Sequence, residues 1–528
     1  MTASPLTGTG PTGPTGSDDW ADLQGAALLG TDRRPLPEAR TPLSAAVDRA
    51  DPAGALLDLA AVAAVRRRAG ALPAPAVDTP EPAPADPRPA LPEAAARRLA
   101  VLLGTRSGHG TTANLSELLP QWLTAARTRG YRLPPALVPA LLDTGRARSE
   151  LRSDAVTLAG PLGRWLAPHN PDWKYVTRTA GDQDALDQPG ELLWQEGLFA
   201  ERVTHLTRLR RTDPAAGLAL LASTWSTERA EDRVLFLDAL QDGLSAADEE
   251  FLEAALSDRS KNVRATAAEL LSTLPGSALA ARMAARARNA VRPDGDRLHI
   301  TPPAACDAAM QRDGIPVKSP TGRGERAWWF GEVVAGAPLA GWTADTGRTP
   351  EQLLALPTTD SPDGGGAEWA EDLREAWARA AVRQQDAAWA RALLGTPPRP
   401  GRDTRAPGAP AKLLAVLPPA ERAAWTAAFV QTHGLGDAFQ LLGACATPWT
   451  PPLSTAVVAA LKRAAELGSY PWSHSGVLGM TERALAPETA PAVEALAADT
   501  SPDTAWSDTF TRLAGTLRFR QAMLAELD

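Results

Sequence analysis

Two consecutive stretches decide the fold: DPAAGLALLASTWSTERAEDRVLFLDAL, residues 213–240, and SAADEEFLEAALSDRSKNVRATAAELLSTL, residues 245–274. The first opens on Asp213-Pro214. An Asp oxygen caps a helix, and Pro suits the first helical position because no N–H is needed there. Leu218, Leu221, Ala222 and Trp225 follow at helical spacing, then Val234, Leu237 and Leu240 on a second helix. In the second stretch Ser245 and Asp248 stand three apart, a capping box with Asp in place of Glu. Phe251, Leu252, Ala255 and Leu256 continue that helix, 258–264 makes a turn, and Ala267, Leu270, Leu271 and Leu274 form the next. Leu220 and Leu252 are 32 residues apart, and Leu237 and Ala268 are 31 apart. Two helix pairs at one offset are an internal repeat, the mark of an α-solenoid.

Outward from this repeat the same signals recur. Asp51-Pro52 opens a helix carrying Leu56, Leu59, Val62 and Ala63. Leu-Leu-Gly closes helices at 28–30, 102–104, 393–395 and 441–443, where Gly can take the left-handed cap conformation. In the first of these helices Leu23, Ala27 and Leu28 are expected to share one face. The expected organisation is a flexible tail over 1–19, an N-terminal helical segment over 20–71 and a Pro-rich linker over 72–92. A helical-repeat region over 93–292 follows, then an irregular insert over 293–366 and a C-terminal helical region over 367–528. Within the insert, Leu298-His299-Ile300 suits a short strand and Trp328–Ala335 a helix; strand is expected only between 293 and 330. The fold class is all-α: antiparallel helix pairs in a solenoid with one irregular insert.

The chain has 528 residues, too many for one core, and its 44% hydrophobic content supports several packed units. A net charge of −8 argues against a polyanion as the main ligand, since binding phosphates needs surplus Lys and Arg. Between 200 and 292 the 13 basic and 13 acidic residues balance. The clusters Arg66–Arg68, Arg208/Arg210/Arg211 and Arg282/Arg286/Arg288/Arg292 therefore read as solvated helix ends, where cations favour the dipole. Two cysteines, Cys306 and Cys445, make no disulfide framework and fit a reducing compartment. With no apolar run long enough for a membrane span and no secretory leader, the expected location is the cytoplasm.

No catalytic, cofactor or metal motif survives its context test. Gly8, Gly10 and Gly13 fit G-x-G-x-x-G, but in a tail with Pro11 inside, where no strand precedes and no helix follows. The six histidines and two cysteines lack zinc spacing. Cys445 with His433, or Ser473 beside His474, would act as nucleophiles only if the fold aligned them with a base and an orienting group. The expectation is no catalytic residue, no cofactor and no metal. Trp328-Trp329-Phe330 stands apart, because each step along a helix turns about 100° and three adjacent rings cannot share a face. With Arg323 and Arg326 beside them, these rings are the candidate partner-binding residues, since Trp and Arg are favoured at hot spots; the alternative is packing between the insert and the repeats.

The block from Asp248 to Met283 resembles a HEAT repeat, with Asp258 in the turn and Val263-Arg264 opening the second helix. The whole chain resembles the bacterial family known as domain of unknown function 5691. Its resemblance is carried by Ala27-Leu28-Leu29-Gly30-Thr31-Asp32-Arg33, Leu118-Leu119-Pro120-Gln121-Trp122-Leu123 and Gly163-Arg164-Trp165-Leu166-Ala167 before Asn170-Pro171 and Trp173. To these it adds Asp258-Arg259 and Leu274-Pro275-Gly276-Ser277. The resemblance implies a place in a multi-protein system with an AAA-type ATPase, a von Willebrand A-type protein or a SWIM zinc-finger protein as partner. The leading expectation is thus a non-enzymatic scaffold or adaptor. A nucleic-acid-associated helical-repeat protein and an enzyme with a site assembled from scattered residues are the alternatives.

Overall fold

The structure is a computed structural model describing residues 18–39, 41–68, 81–104, 117–177, 190–322, 324–360, 366–397 and 410–528. Helix dominates these residues, and the one sheet among them is small. The chain divides into two compact units, Met1–Ala83 and Pro84–Asp528.

In the first unit, helix Asp18–Leu29 packs on helix Pro52–Arg68, burying Leu23, Ala26, Ala55 and Leu59. Asp51 Oδ1 accepts from Ala53 N at 3.1 Å, as the Asp-Pro start requires. The expected tail lies outside the described residues up to position 17; the helix begins at Asp18. Leu28 corrects the face reading, being 86% exposed. It stands five residues from Leu23, about 140° around the helix, whereas Ala26 at three residues faces inward.

The second unit opens with part of the expected linker. Residues 72–80 lie outside the described residues, but Leu91 is buried and its N–H meets Arg132 O at 3.0 Å. The end of the Pro-rich run is therefore docked. Helices Glu93–Gly104, Leu119–Thr128, Val138–Ala147 and Arg152–Leu166 enclose a core that Met523 and Leu527 complete. Arg98 pairs with Glu526 at 2.6 Å, Tyr131 Oη donates to Leu527 O at 3.1 Å, and Arg520 donates to Gln121 Oε1 at 3.1 Å. Arg520 also donates to Leu485 O at 2.5 Å, and burial lowers its pKa to about 10.

The quoted repeat forms four helices: Pro214–Thr224 with Ala230–Ala239, and Glu249–Ala255 with Lys261–Ser272. The two second helices pack on each other. Asp213 caps its helix through Ala216 N at 3.0 Å, and Ser245 N donates to Asp248 Oδ2 at 2.9 Å within the capping box. Val263 is buried. Ser260 stands at the cap of helix Lys261–Ser272, without a side-chain bond. Asp258 Oδ1 instead accepts from Ser260 N at 2.7 Å while Oδ2 pairs with Arg233 of the neighbouring helix.

The basic clusters are also corrected. Arg210 and Asp248 form a buried pair, each 1% exposed, at 2.8 and 2.9 Å, and Arg210 further donates to the carbonyls of Asp242, Pro214 and Leu240. Arg282, Arg286 and Arg312 converge on the buried Asp313. The side chains of Arg66–Arg68 lie outside the described residues. Carboxylates, more than solvent, thus meet several of these guanidinium groups.

The region read as irregular is largely ordered. β1 (Val291–Asp294) pairs antiparallel with β2 (Arg297–Ile300), Val291 opposite Ile300, and β3 (Thr358–Asp360) pairs parallel with β2, Leu298 opposite Thr358. Strand therefore reaches past 330. Between β2 and β3 lie helices Ala308–Arg312, Glu325–Gly336, Leu339–Thr346 and Pro350–Ala355. Glu325–Gly336 packs on Ala278–Ala290 and on Gly366–Arg383, joining the insert to the main core. A second core forms among Pro419–His433, Pro451–Glu466, Ala490–Asp499 and Ala505–Ala525.

Candidate docking groove

Helix Pro419–His433 carries Trp425, Phe429 and His433 at four-residue intervals, a spacing that lines side chains along one face. The rings stack: Trp425 on Phe429 at 5.6 Å and 18°, and Phe429 on His433 at 4.5 Å and 27°. Phe429 packs against both large cores, so this stripe lies at their junction. Facing it stand Leu393 and Leu394 from helix Ala387–Leu394 and Leu413 from helix Pro410–Val416. Between the walls runs a groove of about 510 Å³, within the range of small-ligand and peptide-anchor pockets.

The walls are tied together. Trp425 Nε1 donates to Gly395 O at 2.7 Å, and Arg391 pairs with Glu421 at 2.8 Å. Gly434, with φ of +77°, ends the aromatic helix and turns the chain back toward Phe439. Phe439 is 50% exposed and also lines the groove, its other side resting where Gly476 has no side chain. Asp437 and Gln440 add polar groups to the lining.

The residues of the two conditional nucleophile pairs have other partners. Cys445 sits in the second core, its sulfur against Thr426 Oγ1 at 3.4 Å, and burial pushes its thiol up, away from the reactive thiolate. His433 belongs to the ring stack. Ser473 Oγ donates to Tyr470 O at 2.6 Å, while His474 Nε2 meets Ser469 Oγ at 3.2 Å. Among the described residues no group of three His, Cys, Asp or Glu is placed to hold a metal ion. None of their helices is long and apolar enough to cross a membrane.

Of the five residues expected at a partner surface, Arg323 lies outside the described residues and Arg326 is exposed. Trp328 is half-buried. Trp329 is buried, its Nε1 donating to Val317 O at 3.0 Å. Phe330 is fully buried, edge-on to Trp369 at 5.7 Å. The four described residues are therefore not presented together: Trp329 and Phe330 fasten the insert to the core. The groove was missed in the sequence, although its four-residue aromatic spacing is legible there. The model of a family of unknown function, DUF5691, matches residues 22–527, and the chain belongs to that family. No curated protein and no solved structure matches it.

Proposed function

We propose that this family member is a non-enzymatic adaptor that receives an apolar anchor of a partner protein in the Trp425/Phe429/Phe439 groove. The observation that carries the reading is an accessible recess lined by stacked aromatic rings and held open by bonds between its walls. Aromatic-lined recesses accept the large side chains that dominate binding energy. The pairing of Arg210, Arg282 and Arg286 with carboxylates favours this over a nucleic-acid role, which needs guanidinium groups free for phosphates. In this reading the helix pairs stack as HEAT-type repeats and hold the groove rigid, in the cytoplasm. An AAA-type ATPase, a von Willebrand A-type protein or a SWIM zinc-finger protein is the partner to test first.

The test uses the full chain against each purified partner, with Ala411→Trp filling the groove. Binding should be lost in the variant and kept by Arg326→Ala. Equal binding by wild type and Ala411→Trp would reject the groove as the docking site.

A further inference from the structure

We propose that the chain associates head to tail with a second copy of itself, the Leu467/Tyr470/Trp472 tip of one copy entering the aromatic groove of the next. The proposal rests on the docking reading of the groove and names its occupant. Leu467, Tyr470 and Trp472 are 85%, 66% and 74% exposed. Large apolar side chains scattered singly over a surface are ordinary, but three within six residues are a patch. The Tyr470 and Trp472 rings lie 6.2 Å apart at 20°, stacked on each other in solvent.

The tip is held stiffly. Gly468, at φ of +73°, turns the chain as it leaves helix Pro451–Glu466. Ser469 N and Oγ both donate to Ala464 O, at 3.1 and 2.7 Å. Trp506 Nε1 donates to Ser469 O at 2.6 Å, and Ser473 N to Tyr470 O at 3.0 Å. A preorganised tip loses little conformational freedom on binding. The phenol and indole polar groups have no hydrogen-bond partner among the described residues. Asp437 and Gln440 in the groove lining supply acceptors for them.

Tip and groove do not meet within one copy. Helix Pro419–His433 offers its aromatic stripe to the Leu393/Leu394 side and packs its other side on Pro451–Glu466, from whose end the tip projects. A second copy is the partner whose matching surface is visible in this structure: an apolar projection and an apolar recess on one chain. The contact joins unlike patches, so each copy keeps one free tip or groove and the association extends or closes into a ring. Two aromatic rings bury at most ~150–250 Å² each. That places the interface in the small, weak class, below about 1,200 Å². Each copy carries net charge −8. The copies repel at long range, so added salt should strengthen an apolar contact by screening that repulsion.

Sedimentation equilibrium of the full chain from about 1 to 200 µM spans the affinities expected for such a contact. The average mass should rise with concentration and with salt. Trp472→Ala, in the exposed 3-10 turn Pro471–His474, and Ala411→Trp, in the groove, should each weaken association at least tenfold. Mixed, they should form one-to-one pairs, because one supplies an intact groove and the other an intact tip. Phe439→Ser replaces Ala411→Trp if circular dichroism shows the latter misfolded. A monomeric wild type over this range, an unaffected Trp472→Ala, or no pairing in the mixture would each overturn the proposal. An apolar fluorescent dye separates the two readings. A monomeric wild type that binds dye, with binding lost in Ala411→Trp, ends self-association and leaves groove docking standing. Dye binding absent from a monomeric wild type ends both.

Discussion

Replacing Asp248 by Ala removes one half of the buried pair that joins helix Phe199–Thr212 to the start of the second helix pair. Both Asp248 oxygens meet Arg210, and one also accepts from Ser245 N. The guanidinium keeps three carbonyl partners, those of Asp242, Pro214 and Leu240. None carries a full negative charge, so the cation stays buried without a counter-ion. Breaking a buried pair from one side costs about 3–5 kcal/mol. The lost capping bond falls within that figure. Removing both charges, as Arg210→Met with Asp248→Leu, avoids the orphaned cation and should recover part of the loss. Recovery should be incomplete, because the three carbonyls then lack their donor. Urea unfolding followed by circular dichroism and tryptophan fluorescence measures each variant; coincident transitions license the free-energy comparison. A loss under about 1 kcal/mol for Asp248→Ala, or a double variant no better than the single, would refute the reasoning.

Asp313 gives a pH test. Burial raises its carboxyl pKa, but hydrogen bonds from Arg282, Arg312 and Arg286 outweigh that and hold it below the ordinary value. A depressed folded pKa contributes stability above the unfolded value of about 3.9, lost as pH falls through the folded value. Asp313→Asn should therefore be less stable than wild type at neutral pH, with the gap closing below about pH 4; a constant gap across that range would count against it. Trp329→Ala should cost about 3–5 kcal/mol in the same unfolding assay, whereas Arg326→Ala should stay within about 0.5 kcal/mol. Asp258→Ala should cost about 1–3 kcal/mol by stranding Arg233 and Ser260 N. Ser260→Ala, at a cap position without a side-chain bond, should change the melt little; the reverse order would make Ser260, not Asp258, the anchor of this turn.

Local signals were legible and long-range pairings were not. Asp213-Pro214 and Ser245 with Asp248 act within a turn, and the structure follows them. β2 could be read from Leu298-His299-Ile300, but β3 pairs with it across four intervening helices, and Thr358-Thr359-Asp360 carries no apolar alternation of its own. Arg210 looked like one of several helix-end cations because its counter-charge stands 38 residues away. Trp328-Trp329-Phe330 correctly signalled more than one packing direction; the missing knowledge was that two neighbouring helices, 278–290 and 366–383, cover them. The groove escaped because the wall facing the aromatic stripe is assembled from segments on either side of residues 398–409, and that wall shows no periodic stripe of its own.

The meeting of the 505–527 segment with the core at 91–176 bears on how this family can vary. In ordinary repeat arrays each module touches only its neighbours, so a module can be gained or lost while the others stay in place. Here Met523 and Leu527 complete a core laid down some four hundred residues earlier, with Arg98 locked to Glu526. An extra helix pair anywhere between would carry those residues away from their seat and reopen that core. The helical content between residues 166 and 505 is thereby constrained by this seal, and natural length variation should fall in surface turns.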